Sequence, residues 1–296
     1  MKTFKYQNKK NSNYFEGWYF RFTDESEINY AVIFAITKCI EDPHCFVQIF
    51  NQYDESCKYI KYPVNKFHYD SETDTVHINN NLLSDNILVI DEEIKINLSI
   101  SNHLYLSENK DKSAMSYLKN FPLECFQEVI FLDSAFTGTI KNGVEKQISG
   151  KSYMEKTYGY SFPKKWIWIQ SSYGEKSTFT FSTGAVPFKF LTITGFFLIL
   201  KTSSMSYRFS TTNNSKIKIY NGNSFMIMIT RGKYKVIIET KINNSTKLIG
   251  PISNGLMNLT VMESLDSECS IKMFNNGVLI FEDKYKNVGV ENTFNK

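Results

Sequence analysis

Residues 150–170 read GKSYMEKTYGYSFPKKWIWIQ, and this stretch predicts two consecutive β-strands. Alternate residues of a strand face the same side. The side chains that share one side are Lys151, Tyr153 and Glu155 in the first strand and Trp166, Trp168 and Gln170 in the second. Indole rings supply apolar area, and a single amide can orient a polar group beside them. The second strand therefore predicts either the wall of an aromatic cavity or a filled core.

Strand signals continue through the rest of the 296-residue chain. Hydrophobic residues make up 42% and aromatic residues 15%, with 24 Phe, 18 Tyr and only 6 Pro, and this mixture favours strands over helices. Asn-Gly pairs mark tight hairpin turns because both residues tolerate positive φ. Such pairs at 142–143, 221–222 and 276–277 lie between strand-like runs. The sequence therefore predicts antiparallel pairing in both halves of the chain.

The predicted architecture is mainly β, with antiparallel strands in a barrel or sandwich and few short helices. The helix candidates are residues 111–120 and part of residues 82–94. A doubly wound α/β fold is the alternative, but the chain has no glycine-rich phosphate loop after a strand. We place the boundary between the halves within residues 143–152, which gives domains 1–147 and 148–296.

Charge and cysteine content restrict the partners and the compartment. The formal net charge is +4, from 34 basic and 30 acidic residues, and the lysines are scattered, so no nucleic-acid surface is predicted. Five cysteines without a CxxC pair favour a reducing compartment. Residues 1–13 are polar and do not resemble a signal peptide, so we expect a cytoplasmic protein.

The longest apolar stretch, residues 186–200, is interrupted by Lys189 and is too short to span a bilayer. A buried strand pair is the favoured interpretation. Peripheral contact with a membrane is the alternative, because apolar surface can insert at the lipid interface. The residues predict no particular oligomeric state.

A second segment, residues 14–22, reads YFEGWYFRF and places an acid among aromatic rings. Glu16, Trp18, Phe20 and Phe22 share one face at the two-residue period of a strand. Burial would raise the pKa of the Glu16 carboxyl towards the range of a general acid. The alternative is a strand-end carboxylate that bonds to the backbone or pairs with an arginine.

A third segment, residues 121–128, reads FPLECFQE, in which Glu124 and Cys125 interrupt an apolar, strand-like run. A carboxylate buried there needs a partner. A nucleophilic cysteine needs a histidine nearby, and a metal site needs clustered ligands. The histidines show no such spacing, and they are His44, His68, His77 and His103. The sequence therefore predicts neither cysteine catalysis nor a metal site.

The three segments together resemble the signature blocks of the tocopherol cyclase-like family. The blocks are YFEGWYF at 14–20, PLEC at 122–125 and the long stretch at 150–170. Shorter matches follow in the expected order at 194–197, 207–209, 262–264 and 288–291. The chain departs from the family pattern at Thr157 and Tyr158, where relatives commonly have Asn and Trp, and at Gln127, where many carry histidine.

The resemblance implies two lipocalin-like β-barrel halves that enclose or flank a ligand cavity. It also implies a reaction without cofactor, in which a proton added to a prenyl alkene gives a tertiary cation that a phenol oxygen traps. The implied roles are proton donation for Glu155 or Glu16, cation stabilisation for Trp18, Trp166 and Trp168, and orientation of the ring oxygens for Tyr153, Lys156 and Gln170. Glu124 and Tyr158 are further candidates for ligand binding.

The expected ligand is a hydrophobic small molecule, either an isoprenoid or a prenyl quinol. The composition is rich in Lys, Asn and Ile and points to a bacterial protein. In such a protein, hydration or isomerisation of an alkene is an alternative to ring closure. A lipocalin-like carrier or sensor without chemistry is the alternative function, because the same cavity serves both. A purely structural module is a third alternative, and it predicts tryptophans packed into a filled interior.

Overall fold

The computed structural model describes residues 4–8, 13–106, 113–188, 191–220 and 224–294, with backbone alone at 186–188 and 191–193. In this part of the chain, 21 β-strands form two antiparallel sheets. Helical structure is restricted there to four short 3₁₀ turns, Val64–Lys66, Ser116–Asn120, Thr211–Asn213 and Ser253–Gly255. Both sheets curl into barrel-like halves, so the mainly β prediction is confirmed.

The first sheet contains eleven strands. They are β1 (Phe15–Asp24), β2 (Asn29–Thr37), β3 (His44–Asn51), β4 (Lys58–Tyr62), β5 (Phe67–Asp70), β6 (Thr75–Ile78), β7 (Asn81–Leu83), β8 (Ile87–Asp91), β9 (Lys95–Leu104), β10 (Cys125–Asn142) and β11 (Val144–Gly159). Their spatial order is β4-β3-β2-β1-β11-β10-β9-β8-β7-β6-β5. The last strand therefore pairs with the first, at the centre of the sheet.

The second sheet contains ten strands. They are β12 (Lys165–Ser171), β13 (Ser177–Phe188), β14 (Leu191–Thr202), β15 (Ser206–Ser210), β16 (Lys216–Tyr220), β17 (Phe225–Arg231), β18 (Tyr234–Lys241), β19 (Thr246–Pro251), β20 (Met257–Asn275) and β21 (Val278–Asn292). Their order is β15-β14-β13-β12-β21-β20-β18-β17-β16, and β19 pairs with β20. In this sheet too, the last strand pairs with the first. The two halves therefore have this feature of strand order in common.

All three strand pairs predicted around Asn-Gly sequences are confirmed, namely β10–β11, β16–β17 and β20–β21. In the last hairpin, Asn276 and Gly277 have φ of +50° and +82°, as a tight turn of this type requires. Gly143 has φ of +76° at the tip of the first hairpin. The turn of the middle hairpin, at 221–223, lies outside the described residues.

The helix prediction for residues 82–94 is wrong. This segment contains the end of β7 and all of β8, and β8 pairs with both β7 and β9. Leu88 and Ile90 are buried at the two-residue period of a strand, and this burial outweighs the helical tendency of the local sequence. In the second candidate, residues 111–112 lie outside the described part, and Ser116–Asn120 forms a single 3₁₀ turn.

The chain passes from one sheet to the other between Gly159 and Lys165. The boundary placed between residues 147 and 148 lies inside β11, which pairs with β10 from Val144 to Gly159 and with β1 from Gly150 to Gly159. The long arms of the β10–β11 hairpin extend beyond β1, and no break in composition marks the change of sheet. The sequence therefore offers no signal at the position where the sheets divide.

Each sheet has an inner face, which holds its own hydrophobic core, and an outer face. In the first sheet Trp18, Phe20 and Phe22 belong to the inner core. In the second sheet the inner core includes Ile167 and Ile169. A third buried cluster lies between the outer faces of the two sheets and joins the halves. Side chains alternate along each strand. Neighbouring residues therefore point either into the inner core of their own half or into the seam between the halves.

Arg21 is the main polar connection across this seam. It is 3% exposed, and its guanidinium donates to Gln170 Oε1 at 2.8 Å and to the backbone oxygens of Leu265 at 2.7 Å and Asn287. It also donates to Asn29 Oδ1 within its own sheet, at 3.2 Å. One side chain of β1 therefore satisfies acceptors on β12, β20 and β21.

The long apolar stretch at 186–200 forms the end of β13 and most of β14, with residues 189–190 outside the described part. The predicted strand pairing is confirmed, and burial is seen at residues 196–200. Among the described residues, no helix has both the length and the apolar character needed to cross a membrane. All five cysteines are free thiols.

Candidate functional site

A cavity of about 240 Å³ lies in the seam between the outer faces of the two sheets. Strands of both halves line it, as does the segment around Ser116–Asn120. Its aromatic wall consists of Phe15, Tyr19, Phe46, Phe121, Phe162, Trp166, Trp168, Phe196 and Phe197. Because neither half encloses this space alone, the site exists only where the two sheets meet.

The two tryptophans of β12 each bond to a different glutamate at this cavity. The Trp168 indole N–H donates to Glu155 Oε2 at 3.0 Å, and the Trp166 indole N–H donates to Glu291 Oε2. Gly289 makes room for the first ring, since a Cβ at that position would lie 2.7 Å from Trp168 Cζ3. Trp166 and Trp168 therefore lie on one face of β12 and line the cavity.

Glu155 lies on β11, lines the cavity and accepts three donors. Besides Trp168, the Tyr153 hydroxyl donates at 2.6 Å, and the Gln127 amide donates to both carboxyl oxygens at 2.8 and 2.9 Å. Burial raises the pKa of Glu155, and the hydrogen bonds from Tyr153, Gln127 and Trp168 oppose this increase. The arrangement can hold a carboxylate in an apolar cavity.

Glu291 is a second carboxyl in the wall, and Glu263 lies behind it. The two residues are directly opposite each other in the β20–β21 ladder. Glu263 is fully buried and accepts the Tyr19 hydroxyl at Oε1. Burial raises the pKa of both carboxyls, and the pKa of Glu291 reaches about 7. Neither residue is among the site residues predicted from the sequence. The alternation of side chains along β20 and β21 does not indicate that the two residues lie close together.

Two further predicted residues stand behind the wall. Tyr153 is buried and contacts Glu155, but it does not line the cavity. Gln170 shares the outer face with Trp168, as predicted, but its amide bonds to Arg21 and Ser172. Both side chains therefore position other groups, and neither reaches the cavity.

Glu16, Trp18 and Lys156 lie on the inner face of the first sheet, away from the cavity. Lys156 is fully buried, and its Nζ lies 3.1 Å from Glu16 Oε1. The Glu16 carboxylate also accepts the Gln7 backbone N–H at 3.0 Å, and the Trp18 indole donates to the Phe4 oxygen at 2.9 Å. Residues of the N-terminal segment therefore complete this buried polar cluster.

Tyr158 also faces away from the cavity, where its ring stacks on Phe126 at 5.1 Å. Glu124 is exposed because it precedes the first residue of β10, so it needs no buried partner. Cys125 lines the cavity, and burial raises its pKa to about 12, which keeps the thiol protonated. Of the positions that depart from the family pattern, Gln127 and Thr157 belong to the cavity wall.

The buried ion pair predicts a measurable cost when its cation is removed. We expect Lys156→Met to lower the free energy of unfolding by about 2–3 kcal/mol, because Glu16 loses its counter-ion but keeps its other donors and can take up a proton. Urea denaturation measures the change. The double variant Lys156→Met/Glu16→Gln should recover most of the loss, and equal losses in both proteins would contradict the pairing.

The comparisons with known proteins agree with this architecture. A family model described as tocopherol cyclase-like matches residues 90–292. Among solved structures, CghA in complex with Sch210972 is 9% identical with a TM-score of 0.59, and the match covers 94% of this chain and 88% of that chain. A protein described as AttH from Nitrosomonas europaea is 10% identical with a TM-score of 0.54, covering 93% and 91%.

Kievitone hydratase from Nectria haematococca is also similar, at 10% identity and a TM-score of 0.50, with 94% of this chain and 89% of that chain covered. At such identities the likeness to these structures shows the fold alone. No curated protein matches the chain in sequence. Among the described residues, no group of three or more His, Cys, Asp or Glu side chains is placed to hold a metal ion.

Proposed function

Because this chain belongs to the tocopherol cyclase-like family, we propose that it binds an apolar molecule containing an alkene in the cavity and transfers protons to and from it. The observation that carries the proposal is the bonding of each cavity tryptophan to a separate glutamate. Indole faces stabilise a carbocation, and carboxyls transfer protons. A carrier needs apolar walls but has no use for carboxyls held within them.

The substrate that we favour is a prenylated hydroquinone, and the favoured reaction is closure of its ring. A protonated trisubstituted alkene gives a tertiary cation, and a phenol oxygen of the same molecule can trap it. The aromatic wall of the cavity suits such a molecule. Addition of water to the cation is the second candidate, and the hydratase activity named for one structural neighbour supports it.

Glu155 is the carboxyl that we assign to proton transfer with the ligand. It was a candidate from the sequence, it lines the cavity, and its donors Tyr153, Gln127 and Trp168 fix its position. Glu16, the other sequence candidate, lies on the inner face of the first sheet, so we do not assign it to the reaction. Positioned carboxyls of this kind contribute about 10²–10⁴-fold to rates.

Incubation with geranylhydroquinone tests the proposal. We expect quenching of tryptophan fluorescence on binding and a product of unchanged mass but altered retention on liquid chromatography. A product heavier by one water would favour hydration. Binding without any product favours the carrier, and absence of binding to geranylhydroquinone and to lipids extracted with the native protein contradicts the proposal.

Gly195 offers a way to fill the cavity. A Cβ at this position meets only Leu118 Cδ1, at 3.9 Å, so a larger side chain has room in the wall. We expect Gly195→Leu to weaken binding of geranylhydroquinone at least tenfold, since the leucine occupies ligand space. The change is read from the fluorescence titration. Thr194→Leu, at the exposed neighbouring position of the same strand, should bind like the unchanged protein.

A further inference from the structure

Glu263 and Glu291 face each other across one rung of an antiparallel ladder. The Cβ atoms of directly opposed residues lie about 4.5–5.5 Å apart, which brings two glutamate side chains on one face within contact. Like charges at this separation repel, and the repulsion grows in a buried site of low dielectric. The two carboxyls therefore cannot both be ionised at low cost.

The hydrogen bonds around the pair leave one position open. Tyr19 donates to Glu263 Oε1, and Trp166 donates to Glu291 Oε2. Among the described residues, nothing donates to Glu263 Oε2, although this atom is buried. A proton shared between the two carboxyls would satisfy this oxygen, and a side-chain hydrogen bond with Glu263 lowers the pKa of Glu291.

The positive charge of Arg21 lowers the pKa of Glu263, but burial and the charge of Glu291 outweigh this effect. In the described part of the chain neither carboxyl forms a salt bridge, and the Arg21 guanidinium donates to carbonyl and amide oxygens instead. The groups that face the pair are Tyr19 and Arg21 from β1, Glu155 from β11 and Trp166 from β12. The negative charge of Glu155 further opposes full ionisation.

We infer that Glu263 and Glu291 share one proton and that Glu291, which lines the cavity, delivers this proton to the alkene of the bound molecule. The inference rests on the proposed function and names its acid. Glu263 is a positioning residue, because it does not line the cavity and acts through Glu291. Glu155, which accepts three donors, is the complementary base.

The proton balance of the reaction is complete without a redox partner. The O–H bond of the Glu291 carboxyl breaks, and the π electron pair of the alkene forms a new C–H bond, which leaves a tertiary cation and the Glu291 carboxylate. A ligand hydroxyl oxygen then forms a C–O bond to the cation and loses its proton to the Glu155 carboxylate. That proton returns through water to the carboxyl pair, and the product is an isomer of the substrate.

The electrostatics set the direction of the pH dependence. Burial is the main cause that raises the pKa of Glu291 to about 7, so kcat/KM should fall as the pH rises through that value. Stability should change in the same range. Because the folded protein retains a proton that the unfolded chain releases above pH 4.5, the melting temperature should fall relative to Glu291→Gln as the pH rises from 4.5 towards 7.

Infrared spectroscopy and kinetics of two variants test the inference. At neutral pH the difference spectrum between the unchanged protein and Glu291→Gln should contain the C=O stretching band of one protonated, buried carboxyl, because the other buried carboxyls are common to both proteins. That variant should bind geranylhydroquinone normally and lose at least 100-fold in turnover at every pH. In Glu263→Gln the new amide donates a hydrogen bond that stabilises the Glu291 anion and lowers the pKa of Glu291. The alkaline limit of activity of this variant should therefore move to lower pH.

Trp166→Phe keeps both carboxyls. It therefore supplies a measurement that does not depend on replacing Glu263 or Glu291. Loss of the indole N–H should raise the pKa of Glu291 and move the alkaline limit to higher pH, because this donor favours the anion. A difference spectrum that lacks the carboxyl band, or pH limits unmoved in Glu263→Gln and Trp166→Phe, overturns the inference. If the unchanged protein binds geranylhydroquinone without converting it, the proposed catalysis is wrong. The infrared band still shows in that case whether the two carboxyls share a proton.

Discussion

Glu155→Gln should convert geranylhydroquinone 10²–10⁴-fold more slowly than the unchanged protein while binding it with similar affinity. The amide keeps the shape of the side chain. Its oxygen can still accept the hydrogen bonds that the Tyr153 hydroxyl and the Trp168 indole donate to the carboxylate. It cannot accept a proton from the ligand hydroxyl. The loss should therefore appear in kcat, with little change in the fluorescence titration.

Glu145→Gln is the matched control for this prediction. Glu145 lies on the same strand, β11, but is exposed in the hairpin arm, so the same chemical change should leave turnover unaffected. Equal turnover by Glu155→Gln and the unchanged protein would remove Glu155 from the reaction. A chain that binds the ligand but shows no conversion in either form would instead be a carrier.

Arg21→Met should lower the free energy of unfolding by about 4 kcal/mol. The substitution leaves the Gln170 side-chain oxygen and the backbone oxygens of Leu265 and Asn287 without their buried donor, at about 1–3 kcal/mol for each unsatisfied acceptor. This is a large share of the 5–15 kcal/mol typical of folded proteins. Urea denaturation followed by tryptophan fluorescence measures the change.

Arg208→Met provides the comparison, because it makes the same chemical change at a half-buried arginine. Arg208 makes one hydrogen bond between the halves, to the Ala114 backbone oxygen at 2.9 Å, whereas Arg21 donates to three residues of the other half. We expect its cost to stay near 1 kcal/mol. Similar losses in both variants would show that Arg21 does not hold the halves together.

Strand alternation predicted much of the fold, and three of the ten candidate site residues line the cavity, namely Glu155, Trp166 and Trp168. It grouped Glu16, Trp18 and Phe20 on one face correctly, and the Asn-Gly pairs located three hairpins. The period of two says that residues share a face, but it does not say which face meets the ligand. Trp18 and Lys156 were therefore assigned to a cavity that lies on the other side of their strands.

The carboxyl pair shows what the sequence could not reveal. Glu263 and Glu291 are separated by the long β20–β21 hairpin, whose ladder contains three register shifts. Counting residues back from the Asn276-Gly277 turn therefore does not yield their pairing. Only the folded register brings the two residues opposite each other, and only the packing of the second sheet on the first brings Glu291 to the cavity.

The position of the cavity in the seam also bears on how such proteins diversify. Each half keeps a separate inner core, so substitutions in the seam can alter ligand shape and chemistry while the forces that fold either half stay intact. This chain and kievitone hydratase have a similar fold at 10% sequence identity. New specificities should therefore arise first by mutation in the outer faces, and laboratory evolution confined to those positions is the efficient way to obtain them.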